Sequence, residues 1–254
     1  MKISVVIITL NEADRIEEAL KSCLEIADEI VVVDSFSHDN TVGIAKKYGA
    51  KIYEKDFIDY GSQKNFALQK AENEWVLNLD ADERVSPLLK TEILKLKQEK
   101  IIAVDGFLVK RKTFYLERWI KHSGWYPDRK LRLFKKEKCR WEGRIHERLV
   151  LAGETGRLTG DILHFTYRDI SDHVTRLNRY SHMQAEDIVK NKKKLLYLHC
   201  LLLPPITFLR FYIWKAGFLD GFPGLVIALI SSWATALKYI KAIAIKRAKK
   251  KRTE

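Results

Sequence analysis

The sequence predicts an α/β fold, a mostly parallel sheet flanked by helices, with an apolar helical extension at its C-terminus. Three observations predict it. Four short β-branched runs alternate with segments of helical period over roughly the first ninety residues. Acidic residues stand where two of those runs stop. From residue 195 onward the composition changes to long apolar stretches that end in a Lys/Arg-rich tail.

Residues 3–9 are a nearly unbroken apolar run, the pattern of a parallel strand covered on both faces and therefore central. Asn11 stands where it would cap a helix in which Ala13, Ile16, Ala19, Leu20, Cys23 and Leu24 recur at helical spacing. Residues 30–33 read as a second buried strand and residues 34–40 as a polar turn. The next helix runs to Tyr48, with Gly49 at the left-handed position that ends helices. A short third strand covers 51–53, helical period returns over 61–72, and a fourth strand, 75–79, runs straight into Asp80-Ala81-Asp82-Glu83. Pro87 suits the first turn of a further helix. Such a doubly wound half binds ligands beyond the carboxyl ends of its strands, where Asp34 and Asp80 lie. Residues 103–167 read as short strands, aromatics and loops, and 170–191 as a helix.

With 254 residues and 46% apolar content, the chain can bury one α/β core and keep length for an appendage. Its net charge of +13 calls for an anionic partner: nucleic acid, an acidic membrane surface or a phosphorylated substrate. Cys23, Cys139 and Cys200 are widely separated, without metal spacing, and fit a reducing compartment. The N-terminus enters a strand at once and does not read as a signal peptide. The first strand-to-helix turn, T-L-N-E, has no glycine, which excludes both the dinucleotide fingerprint and the P-loop. What remains at the strand ends is acidic: Glu12, Asp34, Asp80, Asp82 and Glu83. Carboxylates suit ribose hydroxyls, a base N–H and a divalent cation.

The runs V-V-I-I-T-L-N-E, I-V-V-V-D-S-F-S-H-D-N-T, Q-K-N and W-V-L-N-L-D-A-D-E resemble the family 2 glycosyltransferases of the GT-A fold. S-G-W-Y-P-D-R-K-L-R-L-F and R-I-H-E resemble more narrowly the bacterial lipopolysaccharide core β-glucosyltransferase group, and together the matches span residues 3–167. The resemblance implies a glycosyltransferase domain over 1–192, with a nucleotide-sugar half (1–100) and an acceptor half (101–192), followed by membrane-associating helices and a basic tail over 193–254. It puts Thr9, Asn11, Glu12 and Asp34 around the nucleoside, Asp34 facing the base and Glu12 the ribose. Lys64 would lie near the base or diphosphate, and Asp80 on the ribose. Asp82 would ligate Mg²⁺ or Mn²⁺ on the diphosphate, as a hard oxygen donor does, with His164 as a further ligand. Taken alone, Asp34 reads equally as a turn residue, Lys64 as a solvent-facing helix lysine, and His164 as a strand-end histidine.

Direct displacement with inversion needs a base for the acceptor hydroxyl, and the resemblance offers Glu147 first and Asp128 second, with His146 orienting acceptor or phosphate. Trp119, Trp125, Tyr126 and Trp141, with Arg129, Arg132 and Arg144, read either as a platform for an anionic saccharide or as core aromatics with surface arginines.

Residues 221–237 hold no charge and would measure about 26 Å as a helix, against a hydrocarbon core of about 30 Å. Residues 195–213 are also apolar. Pro204 and Pro205 would break that stretch, and Arg210 would cost about 2.5–3.5 kcal/mol at the bilayer centre. The tail then carries Lys238, Lys241, Lys246, Arg247, Lys249, Lys250, Lys251 and Arg252, each contributing up to about 1 kcal/mol near an anionic leaflet. The expectation is interfacial or re-entrant helices, hence peripheral or monotopic attachment to the cytoplasmic face of the inner membrane. The alternative is that these helices pack on the catalytic domain or join a dimer. The function expected is transfer of a hexose from a nucleotide sugar, UDP-linked, to a lipid-linked or glycolipid acceptor such as lipopolysaccharide core. Transfer to polyprenyl phosphate is the alternative among enzymes, and a basic nucleic-acid-binding protein the alternative outside them. Nucleic acid is not expected as a partner, because the basic residues follow apolar helices and no nucleic-acid motif precedes them. Sugar identity and oligomeric state stay open.

Overall fold

The computed structural model describes residues 1–143, 148–191 and 195–251. Two compact units make up the chain: residues 1–112 with 128–164, and residues 113–127 with those from 165 onward.

The first unit opens with β1 (Ile3–Thr9), α1 (Ile16–Cys23), β2 (Glu29–Asp34), α2 (Thr41–Lys47) and β3 (Lys51–Glu54). It continues with α3 (Tyr60–Lys70), β4 (Trp75–Asp80), β5 (Glu83–Val85) and α4 (Pro87–Gln98). Strand β6 (Gly106–Tyr115) then leads out to β7 (Arg118–Trp119) in the second unit. The chain returns through β8 (Asp128–Lys135), β9 (Cys139–Glu142), β10 (Arg148–Leu151) and β11 (Thr155–His164).

Among the described residues the main sheet runs β3-β2-β1-β4-β8-β6-β11-β5. The first four strands are parallel. Pairing is antiparallel where β8 joins β4, β6 joins β8 and β5 joins β11. Strands alternate their side chains between the two faces. Ile3, Val5 and Ile7 therefore enter one core with Ile30, Val32, Leu77 and Leu79, while Val6 enters the other with Val31, Val33 and Val76. Burial on both faces is why these strands read as continuous apolar runs.

Helix ends follow local chemistry. Asp59 caps α3 by accepting from Ser62 N, and Ser86 caps α4, with Pro87 in the first turn. Gly49 takes φ +74° just past α2. Asn11 is not the cap of α1, which starts only at Ile16 after Arg15. It sits at φ +54°, a left-handed turn residue that Asn tolerates through local hydrogen bonds. The strands from 106 to 164 extend the main sheet, apart from the β9–β10 hairpin, which forms a sheet of its own.

In the second unit follow α5 (Ile170–Lys190), capped by Asp169, then α6 (Leu196–Leu209) and α7 (Phe222–Lys251). Pro204 and Pro205 do not break α6, which continues into a π-helical turn, Arg210–Trp214. The missing proline N–H groups would have served Cys200 O and Leu201 O; nearby, Thr207 Oγ1 donates to Leu203 O and Ser232 Oγ donates to Pro204 O, both at 2.8 Å. By length and composition, Leu196–Trp214 and Phe222–Lys249 could each cross a membrane.

Candidate active site

Parallel strands β1, β2 and β4 end together, so the loops that follow them converge. Asp34, the last residue of β2, is buried; its Oδ2 accepts from Ser37 N at 2.7 Å and its Oδ1 from Ser37 Oγ at 2.5 Å. Asn11 ties the β1 loop to the β2 loop: its N–H donates to Ser37 Oγ and its Oδ1 accepts from His38 N, each at 2.8 Å. Glu12 N donates to Thr41 Oγ1 at 2.9 Å, and the Glu12 carboxylate lies 3.9 Å from Arg15. Thr9 Oγ1 and Gln63 Oε1 are buried without a hydrogen-bond partner. Buried polar atoms in that condition are uncommon in proteins and mark places where a ligand can complete the bonding.

The Q-K-N run of α3 supplies three separate contacts. Gln63 Nε2 donates to Ser35 Oγ at 2.9 Å and to Lys55 O at 3.0 Å, which holds the loop after β2. Lys64 Nζ stands 3.4 Å from Asp80 Oδ1 and 4.5 Å from the centre of the Trp141 ring. Asn65 grips the backbone of Trp141, donating to its O and accepting from its N at 2.9 Å each. The aromatic wall beside Lys64 is thus fixed from the same helix.

The acidic run separates into a fully buried Glu83 and two partly buried aspartates. Glu83 is fully buried; its Oε2 accepts from Asp80 N at 3.0 Å, and its Oε1 receives Arg132 Nη2 at 2.5 Å. Arg132 also reaches Asp80 Oδ2 at 3.3 Å. Burial alone would raise the Asp80 pKa. The Lys64 ammonium and Arg132 guanidinium more than reverse that, with His164 and Arg111 adding to them, so Asp80 is held well below the usual carboxylate range. Glu83 is pushed the other way: burial, reinforced by neighbouring Asp80, outweighs its arginine. Arg132, 4% exposed, is therefore not a surface arginine.

Asp82 is partly buried, its side chain 16% exposed. Its Oδ2 lies 3.5 Å from His164 Nε2, at the end of β11, and 3.8 Å from Arg15 Nη1. The pair follows from β5–β11 register, which sets His164 opposite Glu83. Among the described residues no group of three or more His, Cys, Asp or Glu side chains forms a closed metal cage. One carboxylate and one imidazole side by side nevertheless fit a divalent cation that takes its other ligands from phosphate oxygens and water.

Asp128 begins β8 and is engaged by Arg111, whose Nε and Nη2 approach its Oδ2 at 3.0 and 2.8 Å. Arg111 also lies 3.8 Å from Glu83 and thus links Asp128 to the Asp80 network. Trp119 packs with Phe114 and Phe165, and Trp125 with Tyr115, Tyr167 and His173, in the second unit's aromatic cluster. Arg144, His146 and Glu147 lie outside the described residues. Sequence reasoning missed the roles of Arg132, Arg111, Gln63 and Asn65. The alternation of R-K-L-R-L-F carries no local signal for Arg132, since an arginine alternating with leucines along a strand reads as solvent-facing.

The family described as "Glycosyl transferase family 2" matches residues 4–148, which include each of these site residues except His164. An uncharacterized glycosyltransferase of Rickettsia felis is 34% identical over 260 residues, covering 94% of this chain and 89% of its own length. The lipopolysaccharide core biosynthesis glycosyltransferase LpsC of Rhizobium meliloti is 30% identical over 261 residues, 97% of this chain and 94% of that protein. A looser likeness joins the fold to S. aureus TarS 1-349 in complex with UDP-GlcNAc, with TM-score 0.49 and 17% identity over 98% of this chain and 92% of that one. Because the family pattern covers more than half of the sequence and named glycosyltransferases align with nearly all of it, the chain belongs to glycosyl transferase family 2.

Proposed function

We propose that this glycosyltransferase moves a hexose, with inversion, from a UDP-linked donor to a lipid-anchored saccharide of the lipopolysaccharide core type. The observation that carries the donor half is the partly buried pair Asp82–His164 beside the charge-compensated Asp80–Lys64 pair. Asp34 and Asn11 preorganise the loops for the nucleoside, with Asp34 toward the base, while Thr9 Oγ1 and Gln63 Oε1 offer unsatisfied polar atoms nearby. Glu12 and Asp80 suit the ribose hydroxyls, and the Lys64 ammonium suits the diphosphate. Asp82 and His164 would hold Mg²⁺ or Mn²⁺, which when bound supplies Lewis-acid stabilisation of the leaving diphosphate.

The acceptor hydroxyl oxygen attacks the sugar C1 as the C1–O bond to the diphosphate breaks, and the hydroxyl proton passes to a carboxylate base. Glu147 takes that role in this reading, because Asp128 is already gripped by two nitrogens of Arg111. His146 orients the acceptor. The similarity to LpsC supports a core saccharide acceptor. The exposed apolar helices favour a membrane-bound acceptor and attachment at the cytoplasmic face of the inner membrane; polyprenyl phosphate is the second acceptor that such helices suit.

A panel of UDP- and GDP-sugars, scored for metal-dependent thermal stabilisation, tests the donor reading. UDP-hexoses should stabilise the wild type and not Asp82→Asn. Equal stabilisation of both proteins would remove the metal assignment.

A further inference from the structure

We infer that α6, its π turn and α7 lie as a hairpin in the plane of an anionic bilayer, sunk through their exposed apolar side chains, and do not cross it. The inference rests on the membrane attachment proposed above and gives it a geometry.

Both helices are long and apolar enough to span. Their exposure, however, is patterned. From Tyr197 to Trp214 the exposed positions recur as adjacent pairs every four residues, a band that winds gradually about the helix and is apolar except for Arg210. On α7 the exposed Phe222, Leu229, Trp233 and Ile240 stand seven, four and seven residues apart, which is one stripe. Band and stripe lie on neighbouring helices.

Part of α7 is packed against α5. Tyr239 and Ala242 of α7 pack with Ala185 and Ile188 of α5, and Lys241 Nζ reaches Asn178 O, Asn178 Oδ1 and Ser181 Oγ at 2.6–2.9 Å. A bilayer surrounding the hairpin would also immerse α5 and its Asp172–Arg176 ion pair. At the turn of the hairpin, Asp220 is 1% exposed. Its carboxylate accepts from the backbone N–H groups of Lys121 and His122 at 3.0 Å each and from Ser123 Oγ at 2.9 Å. Residues 121–123 lie on the segment that leaves β6 and returns into β8. Turn and base of the hairpin are thus both fastened to the rest of the chain, and a crossing would carry the turn to the far leaflet and strip Asp220 of its donors.

The stripe is bracketed by cations: Arg210 and Lys215 near the turn, and Lys246, Arg247 and Lys249 toward the other end, all exposed. An apolar face with basic flanks is the recognition chemistry of an interfacial helix on anionic lipid.

The test uses the full chain with vesicles of phosphatidylglycerol and phosphatidylethanolamine containing lipids brominated at shallow or deep acyl positions. Trp214→Phe and Trp233→Phe identify each emitter. Both tryptophans should be quenched, more by shallow than by deep bromines. Lys215→Cys and Lys246→Cys, read against the native cysteines, should both take an impermeant maleimide from the side on which protein was added. Deep quenching with Lys215→Cys protected and Lys246→Cys labelled would show a crossing hairpin; the in-plane geometry would fall while attachment stood. No quenching, together with a stable dimer in lipid-free solution, would overturn both and give the stripe to a second copy.

Discussion

The guanidinium of Arg132 sits between two carboxylates placed three residues apart in the sequence, and it gives them opposite fates. Glu83 turns inward to receive it, and Asp80 stays ionised at the rim. Truncating Arg132 to alanine would leave Glu83 buried without its countercharge. The expected loss is about 3–5 kcal/mol, read from denaturant midpoints, with Arg132→Lys recovering only part because it lacks the planar fork. Asp82 has no such structural duty, so Asp82→Asn should keep the wild-type unfolding midpoint and lower turnover by on the order of 10²- to 10³-fold. His173 provides a pH signature elsewhere. Burial holds its pKa down to about 4, with Asp172 opposing and Arg176 assisting, while its ring stacks on Tyr167 and shares a hydrogen bond with Tyr115. Its folded value lies below its ordinary one near 6.5, so between about 4 and 6.5 the unfolded chain binds the extra proton. Stability should fall as pH drops through that window, and His173→Gln should flatten the slope. At this scale the motif made Asp80 and Asp82 legible. Arg132 was not, because its task depends on the pairing of Leu133 with Leu77, which no local pattern states.

Elements were legible in proportion to how fully they are buried. β1, β2 and β4 announced themselves because both faces meet core, whereas β6, β8 and β11 carry a charged or polar residue at many positions and take their place only through long-range pairing. The start of α1 was misplaced because Asn11 has a stronger use, lacing two loops through Ser37 and His38. Pro204 and Pro205 misled for a related reason. A proline costs about 3 kcal/mol or more in a helix interior, yet the apolar run around Pro204 and Pro205 holds α6 together through its packing on α7, which no local pattern states. The junction of α4 and β11 depends on Gly160, where a Cβ would stand 2.4 Å from Leu89 N. Gly160→Ala should therefore cost about 1–3 kcal/mol in urea unfolding, since backbone rather than a flexible side-chain end must give way.

For the whole molecule, ligand linkage offers the most direct readout. Saturating UDP-hexose with Mn²⁺ at about 100 times its Kd adds about 2.7 kcal/mol, or roughly 5–10 °C in Tm for a chain of this size. Chelation with EDTA should abolish that gain and leave the free protein's Tm in place. The charge of +13 pointed toward an anionic partner without naming one; the placement of cations around an apolar stripe could be read only from folded helices. The backbone passes between the units at residues 112–113, 127–128 and 164–165, so the C-terminal helices are no detachable tail. Tyr115 and Ile120 are shielded by Val226 and Ile227, and the carboxylate inside the 121–123 loop comes from Asp220. A gene shortened at codon 192 would accordingly yield inclusion bodies instead of a lean soluble enzyme. Whoever wants well-behaved material for crystallisation should keep every helix and polarise the exposed leucines of α6.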